Sequence, residues 1–138
     1  MFLLDTNILS ERIKKRPNPH LLERLSSHPP EALFTSVICV MELRMGSALR
    51  DDFEDFWKKI EDEILIRVRI LAIGDEESRL AGDILAGLKK SGQWIGIEDV
   101  LIAATALANR LTAVTANVGH FARIAGLKVE NWLQPIPD

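Results

Sequence analysis

Short strand-like runs alternate with amphipathic helices along this chain, and this alternation restricts the fold more than any other feature of the sequence. Residues 2–4 (Phe-Leu-Leu) are continuously apolar, which predicts a short strand buried on both faces. Further runs of this kind follow, and helical patterns separate most of them. Such an order is typical of an α/β fold. We therefore predict a three-layer sandwich in which helices flank a short, mostly parallel sheet of four to five strands.

The same patterns place the individual elements. The predicted strands cover residues 2–4, 32–35, 69–73 and 111–115, with a candidate edge strand at 128–131. The predicted helices cover residues 7–15, 20–27, 37–49, 51–64, 76–90 and 98–109. Helix 51–64 has the clearest pattern, because its large apolar residues share one stripe: Phe53, Phe56, Trp57, Ile60 and Ile64. Ser36 and Asp75 are predicted to cap the helices that follow them.

Length and composition exclude several classes of protein. A chain of 138 residues with 47% hydrophobic and 27% charged residues predicts one globular domain, residues 1–138. A net charge of −3 gives no sign of a protein that coats nucleic acid. The single Cys39 excludes an intramolecular disulfide framework and a Cys-rich zinc site. The apolar runs are too short for a signal peptide or a membrane span, so we expect a cytoplasmic protein without membrane contact.

Three carboxylates stand out against apolar or helix-start backgrounds. Asp5 follows the first strand, Glu42 lies in an apolar helical run, and Asp99 opens an Ala-rich helix. Each has an ordinary explanation: a helix cap for Asp5, a solvated position for Glu42, and first-turn charge for Asp99. Ligands of open α/β sheets, however, bind beyond the carboxyl ends of the strands. Carboxylates brought together there repel one another unless a cation is present, and oxygen ligands suit Mg²⁺ or Mn²⁺.

Four segments carry a resemblance to a known family. Residues 3–10 (Leu-Leu-Asp-Thr-Asn-Ile-Leu-Ser) resemble the opening motif of PIN-domain nucleases, especially the VapC toxins of toxin–antitoxin pairs. Residues 35–43 and 95–104 resemble the second and third acidic blocks of that family, and residues 115–132 resemble its tail. Each motif alone is weakly specific. Four motifs in the family's order, over nearly the whole chain, make a specific pattern.

The resemblance implies an acidic pocket that binds Mg²⁺ or Mn²⁺ through Asp5, Glu42 and Asp99, which are also the implied catalytic residues. It further implies auxiliary polar residues that orient the ligands or hold a water: Thr6, Asn7, Ser36 and Asn117. One position departs from the pattern, because His120 stands where many relatives have a fourth acidic residue. Two alternatives stay open: Glu98 in place of Asp99, and a His120 that only caps its loop.

An acidic pocket needs a positive rim to bind RNA. The candidate phosphate contacts follow the first helix or lie near Glu42: Arg12, Lys14, Lys15 and Arg44. Each also fits a solvated helix end. The resemblance implies an endoribonuclease that cuts a structured RNA such as a tRNA. We expect water to attack phosphorus, with one carboxylate as base, and to leave a 5′-phosphate and a 3′-hydroxyl.

The resemblance also implies partners. We expect a homodimer, a small antitoxin protein that inserts a segment near the pocket, and DNA binding only through that antitoxin. Helices 37–49 and 51–64 are the candidate apolar surface. The alternative function is a dimeric PIN-like module that binds operator DNA with its antitoxin and has little nuclease activity. Aspartyl-phosphate chemistry ranks below both, because the Asp5-Thr-Asn7 segment has no second acid and residues 115–117 have no Lys.

Residues outside these motifs are expected to be structural. We predict that Cys39 lies in the core and that His20 and His28 lie on the surface. We predict a packing role for the three tryptophans, Trp57, Trp94 and Trp132, rather than stacking on bases.

Overall fold

A five-stranded parallel sheet organises the chain in the computed structural model, which describes residues 1–137. The strand order is β3-β2-β1-β4-β5, and every neighbouring pair is parallel. In chain order the strands are β1 (Phe2–Leu4), β2 (Leu33–Ser36), β3 (Arg69–Leu71), β4 (Thr112–Val114) and β5 (Val129–Glu130). The predicted α/β fold with a parallel sheet is confirmed, and the candidate edge strand is β5.

Helices connect the strands, and short 3₁₀ turns precede β2 and β3. The α-helices among residues 1–137 are α1 (Thr6–Arg12), α2 (Pro19–Ser26), α3 (Val37–Ala48), α4 (Phe53–Glu63), α5 (Asp75–Lys90), α6 (Ile97–Ala108) and α7 (Val118–Phe121). Ser36 caps α3 as predicted. The prediction for α5 is wrong by one residue, because Gly74 is the cap and Asp75 is already helical. The Gly74 N–H donates a hydrogen bond to the Glu77 carboxylate, so the Glu77 side chain stabilises the N-terminus of α5.

The topology sorts the helices into two layers. The chain moves outward from β1 to β2 and β3, then returns past β1 to β4 and β5. Right-handed crossovers therefore place α1–α4 on one face of the sheet and α5–α7 on the other. Contacts within each layer agree, since α1 contacts α2 and α3, while α6 contacts α5 and α7; α3 of the first layer also contacts α6 of the second. The reversal of direction at β1 opens a crevice at the carboxyl ends of β1, β2 and β4.

The core lies between the central strands and these layers. Leu3 and Leu4 of β1 are buried, as are the small residues Ala103, Ala104 and Ala106 of α6. Small side chains allow a helix to lie close against a sheet, as the Ala-rich pattern predicts. No helix within residues 1–137 has the length and apolar character needed to cross a membrane.

Helices α3 and α4 differ in how they use their apolar residues. In α4, Ile60 is buried and the aromatic rings of the predicted stripe are half-buried. In α3, four apolar residues at every fourth position are exposed: Val37, Met41, Met45 and Leu49, the last being the C-cap residue. The prediction of one apolar surface over both helices is therefore corrected. The α4 stripe faces the core, and an exposed α3 stripe remains.

Aromatic residues close the amino end of the sheet. The Phe2 ring lies 4.5 Å from the His28 ring and 4.9 Å from the Trp132 ring, between centroids. The His28 and Trp132 rings are stacked, 5.2 Å apart. The surface prediction for His28 holds only in part, because the imidazole is half-buried against both rings. The packing prediction holds for Trp132, which is fully buried, but fails for Trp94, which is 50% exposed.

Candidate metal centre and active site

Asp5 stands at the centre of the crevice. It follows β1 directly, caps α1, and is buried with only 4% of its surface exposed. One carboxylate oxygen, Oδ1, accepts a hydrogen bond of 2.7 Å from the Thr6 N–H. The other, Oδ2, accepts from the Thr115 hydroxyl at 2.8 Å and from the Asn7 amide at 3.2 Å. Asp5 is thus both a helix cap and a carboxylate fixed in orientation at the switch point of the sheet.

The surroundings of Asp5 disfavour its negative charge. Burial raises the pKa of Asp5 to about 6, against the opposing effect of the hydrogen bonds from Thr115 and Thr6. The negative charges of Asp99 and Glu42 raise the pKa further. These three carboxylates are therefore close enough to repel one another across the crevice. A cation among them would relieve both the repulsion and the loss of solvation.

Glu42 reaches the crevice from α3 and is tied to the same helix start. Its Oε1 accepts a hydrogen bond of 2.7 Å from the Thr6 hydroxyl. Cys39, one turn earlier, is fully buried, and its Sγ lies 4.0 Å from Asp5 Oδ1. Ligand atoms of Asp5, Cys39 and Glu42 all lie within 4.8 Å of one another. Burial, with the Asp5 charge, raises the pKa of the Cys39 thiol to about 11, so the carboxylate oxygens are the available ligands at neutral pH. Two carboxylates backed by Asp99 fit a hard divalent cation.

Asp99 belongs to a second polar group at the opposite wall. It lies half-buried in the first turn of α6, and its Oδ2 is 3.0 Å from His120 Nδ1 and 3.4 Å from Asn117 Nδ2. Asn117 Nδ2 is also 2.8 Å from His120 Nδ1, so the His120 tautomer decides which neighbour that nitrogen bonds. The structure thus places His120 against Asp99 at the site. Glu98, the alternative to Asp99, is exposed.

Ser36, expected to assist at the site, has a different role, and Thr115 contacts Asp5 without having been predicted to do so. Ser36 is buried, and its hydroxyl accepts from the Ile38 N–H, so it serves as the cap of α3. Thr115, which the motif comparison did not single out, is fully buried and donates to Asp5. Its hydroxyl also accepts from the Asn117 N–H at 2.9 Å. Thr115 follows β4, the strand beside β1, so the rule that located Asp5 points to Thr115 as well.

A groove of about 500 Å³ runs from Glu42 between α1, α3 and α4. Its walls include four cationic side chains: Lys14, Lys15, Arg50 and Lys59. Lys14 pairs with Glu11 at 3.0 Å and Arg50 pairs with Asp52 at 2.7 Å. The groove therefore supplies a positive surface beside the acidic cluster.

The other two predicted cations lie outside this groove. Arg12 lines a separate cavity of about 300 Å³, whose walls are mainly apolar and include Leu22, Leu25 and Val68. Arg44 lies over α4, with its guanidinium 4.5 Å from the centre of the Phe53 ring and 4.8 Å from that of Trp57. Arg44 therefore covers aromatic surface.

Comparison with known proteins gives one consistent picture. A model of the PIN domain matches residues 2–127. The VapC ribonuclease Y4jK of Sinorhizobium fredii is 35% identical over 140 residues, covering 98% of this chain and 99% of that protein. Toxin FitB of Neisseria gonorrhoeae is 34% identical over 88% of this chain and 91% of that protein. The crystal structure of VapBC2 from Rickettsia felis, bound to a DNA fragment from their promoter, superposes with a TM-score of 0.84. It is 32% identical and covers 95% of this chain and 98% of that one.

Proposed function

The chain belongs to the PIN-domain family, and we propose that it is a metal-dependent endoribonuclease that acts as the toxin of a toxin–antitoxin pair. The observation that carries this proposal is the convergence of Asp5, Glu42 and Asp99. The charges of Glu42 and Asp99 act on a buried Asp5 at the switch point of the sheet. Two relatives of about the same length, the VapC ribonuclease Y4jK and toxin FitB, support the same function.

Asp5, Glu42 and Asp99 would hold the cation, which we propose to be Mg²⁺ or Mn²⁺. Such an ion supplies charge neutralisation at the phosphate and a more acidic water. The chain's own polar residues fix the ligands. Thr115 orients Asp5, and Thr6 bonds both Asp5 and Glu42. On the other wall, Asn117 and His120 position Asp99.

The reaction we propose is hydrolysis of an RNA phosphodiester. Water attacks phosphorus, one carboxylate of the site accepts its proton, the bond between phosphorus and the 3′-oxygen breaks, and that oxygen takes up a proton from solvent. The products are a 5′-phosphate and a 3′-hydroxyl. Lys14, Lys15 and Lys59 line the adjoining groove and would contact phosphates of the strand, which makes binding weaker at higher salt.

Two surfaces suit the proposed protein partners. The exposed α3 stripe of Val37, Met41, Met45 and Leu49 is the candidate homodimer contact, because burying it removes apolar area from water. The apolar cavity of about 300 Å³ is the candidate site for an antitoxin segment, and it lies on the helix that begins at Thr6. We propose that DNA binding comes only through that antitoxin; the VapBC2 complex of Rickettsia felis is itself bound to a DNA fragment from its promoter.

A second candidate function is a binding module for operator DNA with little nuclease activity. His120 favours it, because the site has an imidazole where many relatives have a carboxylate, and so has one negative charge fewer to hold metal. A cleavage assay separates the two functions.

The test is cleavage of total RNA by the purified chain in Mg²⁺, Mn²⁺ or EDTA, with the ends of the fragments determined. We expect cleavage in either metal, none in EDTA, and 5′-phosphate ends. Asp5→Asn should be inactive, and Asp83→Asn, which alters an exposed carboxylate on α5, should be active. Absence of metal-dependent cleavage by the wild type would overturn the proposal, and 2′,3′-cyclic ends would overturn attack by water.

A further inference from the structure

Trp94 is a large aromatic side chain that the fold leaves half exposed. It lies in the segment 91–96 between α5 and α6, and 50% of its surface is accessible. Trp132 is fully buried and Trp57 packs against the core, so Trp94 is the exposed one of the three. Exposure of an indole costs free energy in the isolated protein, which raises the question of what covers this ring.

The segment around Trp94 is fixed on both sides. Gly92, with φ of +69°, ends α5, and the Gln93 N–H bonds the Leu88 carbonyl at 2.9 Å. On the far side Ile95 is buried, with 2% exposure. The Arg123 guanidinium donates to the Trp94 carbonyl at 3.2 Å. The indole is therefore carried on a backbone held by three separate contacts.

This segment is close in the chain to the residues of the candidate active site. Trp94 precedes Asp99 by five residues, so the two Cα atoms lie within about 18 Å of each other. Arg123, which holds the Trp94 backbone, follows His120 by three residues and lies just after α7. The two stretches of chain that present Asp99 and His120 to the crevice thus also support the indole.

The surroundings of the ring suit a nucleobase. The residues before it, Ser91, Gly92 and Gln93, are polar or small, the exposed Ile97 follows it, and the Arg123 guanidinium bonds its carbonyl. An exposed aromatic ring with a cation on the same stretch of backbone offers bases of single strands a surface on which to stack. The larger apolar surface for a second copy of the chain is the α3 stripe.

We propose that Trp94 stacks on a base of single-stranded RNA that flanks the cleaved phosphodiester. This inference rests on the proposed ribonuclease function and adds a substrate contact to the same site. The phosphates would then be bound along the lysine groove beside Glu42, and one base would be bound at the opposite wall. Stacking does not distinguish one base from another, so Trp94 would not select a sequence. It would favour unpaired RNA over duplex RNA, because only unpaired bases are free to stack on the ring.

The test measures binding without cleavage, in an Asp5→Asn background. The probe is a 12-nucleotide single-stranded RNA of mixed sequence with a 5′ fluorophore, titrated by fluorescence anisotropy. We expect Trp94→Ala to weaken binding about tenfold, whereas Trp94→Phe stays within about threefold. Ile136→Ala, which removes exposed apolar surface from the C-terminal segment, should leave binding unchanged. Equal melting temperatures would establish that all variants are folded.

A second probe separates stacking from a structural effect. A 12-nucleotide abasic strand keeps the phosphates and lacks the bases, so Trp94→Ala should leave its affinity unchanged. An equal loss on both probes, an unchanged affinity on the first, or no binding of either probe at 100 µM by the parent would overturn the stacking contact. A change in sedimentation with Trp94→Ala, and none in RNA binding, would assign the ring to a second copy instead.

The two proposals fail separately. If the wild type does not cleave RNA in Mg²⁺ or Mn²⁺ but Trp94→Ala still weakens binding of the base-containing probe alone, the nuclease proposal fails and the stacking contact stands. If cleavage occurs and Trp94→Ala alters neither binding nor KM, the nuclease proposal stands and the stacking contact fails.

Discussion

The two ends of β1, a strand of only three residues, are built on opposite principles. At the amino end Phe2 packs against His28 and Trp132, and the charges beside these rings are of opposite sign. Trp132 in turn lies beside an ion pair of 3.1 Å between Arg24 and Glu130, and Glu130 accepts a hydrogen bond from Trp132 Nε1. At the carboxyl end the two charges that act on Asp5, those of Asp99 and Glu42, are negative.

This contrast separates stability from function along one strand. Around Phe2 and Trp132, buried side-chain polar atoms have hydrogen-bond partners, apart from Arg24 Nε, which has none within residues 1–137. At the carboxyl end burial acts against the charge of Asp5 and holds its pKa at about 6. The proposed cation site thus lowers the stability of the metal-free protein, and packing elsewhere in the core offsets this cost.

The largest expected effect is a loss of cleavage activity from a substitution at the carboxyl end of β1. Asp5→Asn should lower the cleavage rate about 1,000-fold or more, because several kcal/mol of transition-state stabilisation depend on the cation site. Its free energy of unfolding in EDTA at pH 7.5 should equal or exceed that of the wild type. Rate assays and urea denaturation measure the two effects, with Asp83→Asn as control. An Asp5→Asn variant that does not fold would make Asp5 a structural residue instead.

The reverse experiment breaks stability at the amino end. Trp132→Ala removes a fully buried ring and should lower the free energy of unfolding by about 3–5 kcal/mol. Trp132→Phe should lower the free energy of unfolding by clearly less. The activity per folded molecule should be unchanged in both, and denaturation curves together with rates at 15 °C would test this. A fall in rate constant without a fall in stability would mean that the two ends are coupled.

A pH titration without metal sharpens the contrast. The folded-state pKa of Asp5, about 6, lies above its ordinary value of 3.8, so the folded protein binds this proton more tightly than the unfolded chain does. The resulting stability is complete below about pH 4 and is lost as the pH rises through 6. In EDTA, the wild type should therefore lose about 3 kcal/mol relative to Asp5→Asn between pH 4 and 7.5. A stability difference that does not vary with pH would contradict the burial argument.

Metal should reverse that loss. Mn²⁺ or Mg²⁺ at about 100 times its Kd should raise the melting temperature by about 5–10 °C, because it binds the folded pocket and not the unfolded chain. A double variant, Asp5→Asn with Asp99→Asn, should show no shift, and Asp83→Asn should respond like the wild type. Thermal melts at several metal concentrations measure this. A shift that persists in the double variant would place the metal elsewhere.

The smallest effect is expected from removing the ion pair between Arg24 and Glu130. Glu130→Gln keeps an acceptor for Trp132 and removes the charge that faces Arg24. Because Glu130 is 40% exposed, the loss of stability should be only about 1 kcal/mol. Urea denaturation should detect it, and the cleavage rate should not change. A loss above about 3 kcal/mol would show that Arg24 depends on this single partner.

The sequence predicts the two ends of β1 unequally well. Hydrophobic period and the position of Asp5 after a strand predict the parallel sheet and the place of its crevice. Thr115 was missed because a threonine after a strand has no distinctive spacing until the neighbouring strand is known. The amino-end cluster was missed because stacking of His28 on Trp132 joins residues that are more than 100 positions apart. Trp94 was assigned to packing because residue type alone does not report exposure.

The hydrogen bond from Thr115 to Asp5 also has a consequence for the order of folding. It joins residues 110 positions apart, and β1 pairs with β4 across the same interval. Contacts of this range form late, and a chain made at 5–20 residues per second adds those residues about 5–20 s after Asp5. During synthesis the first strand is therefore present long before the residues that complete its acidic crevice. A nascent chain can assemble the site only after the residues of β4 and Thr115 have been made.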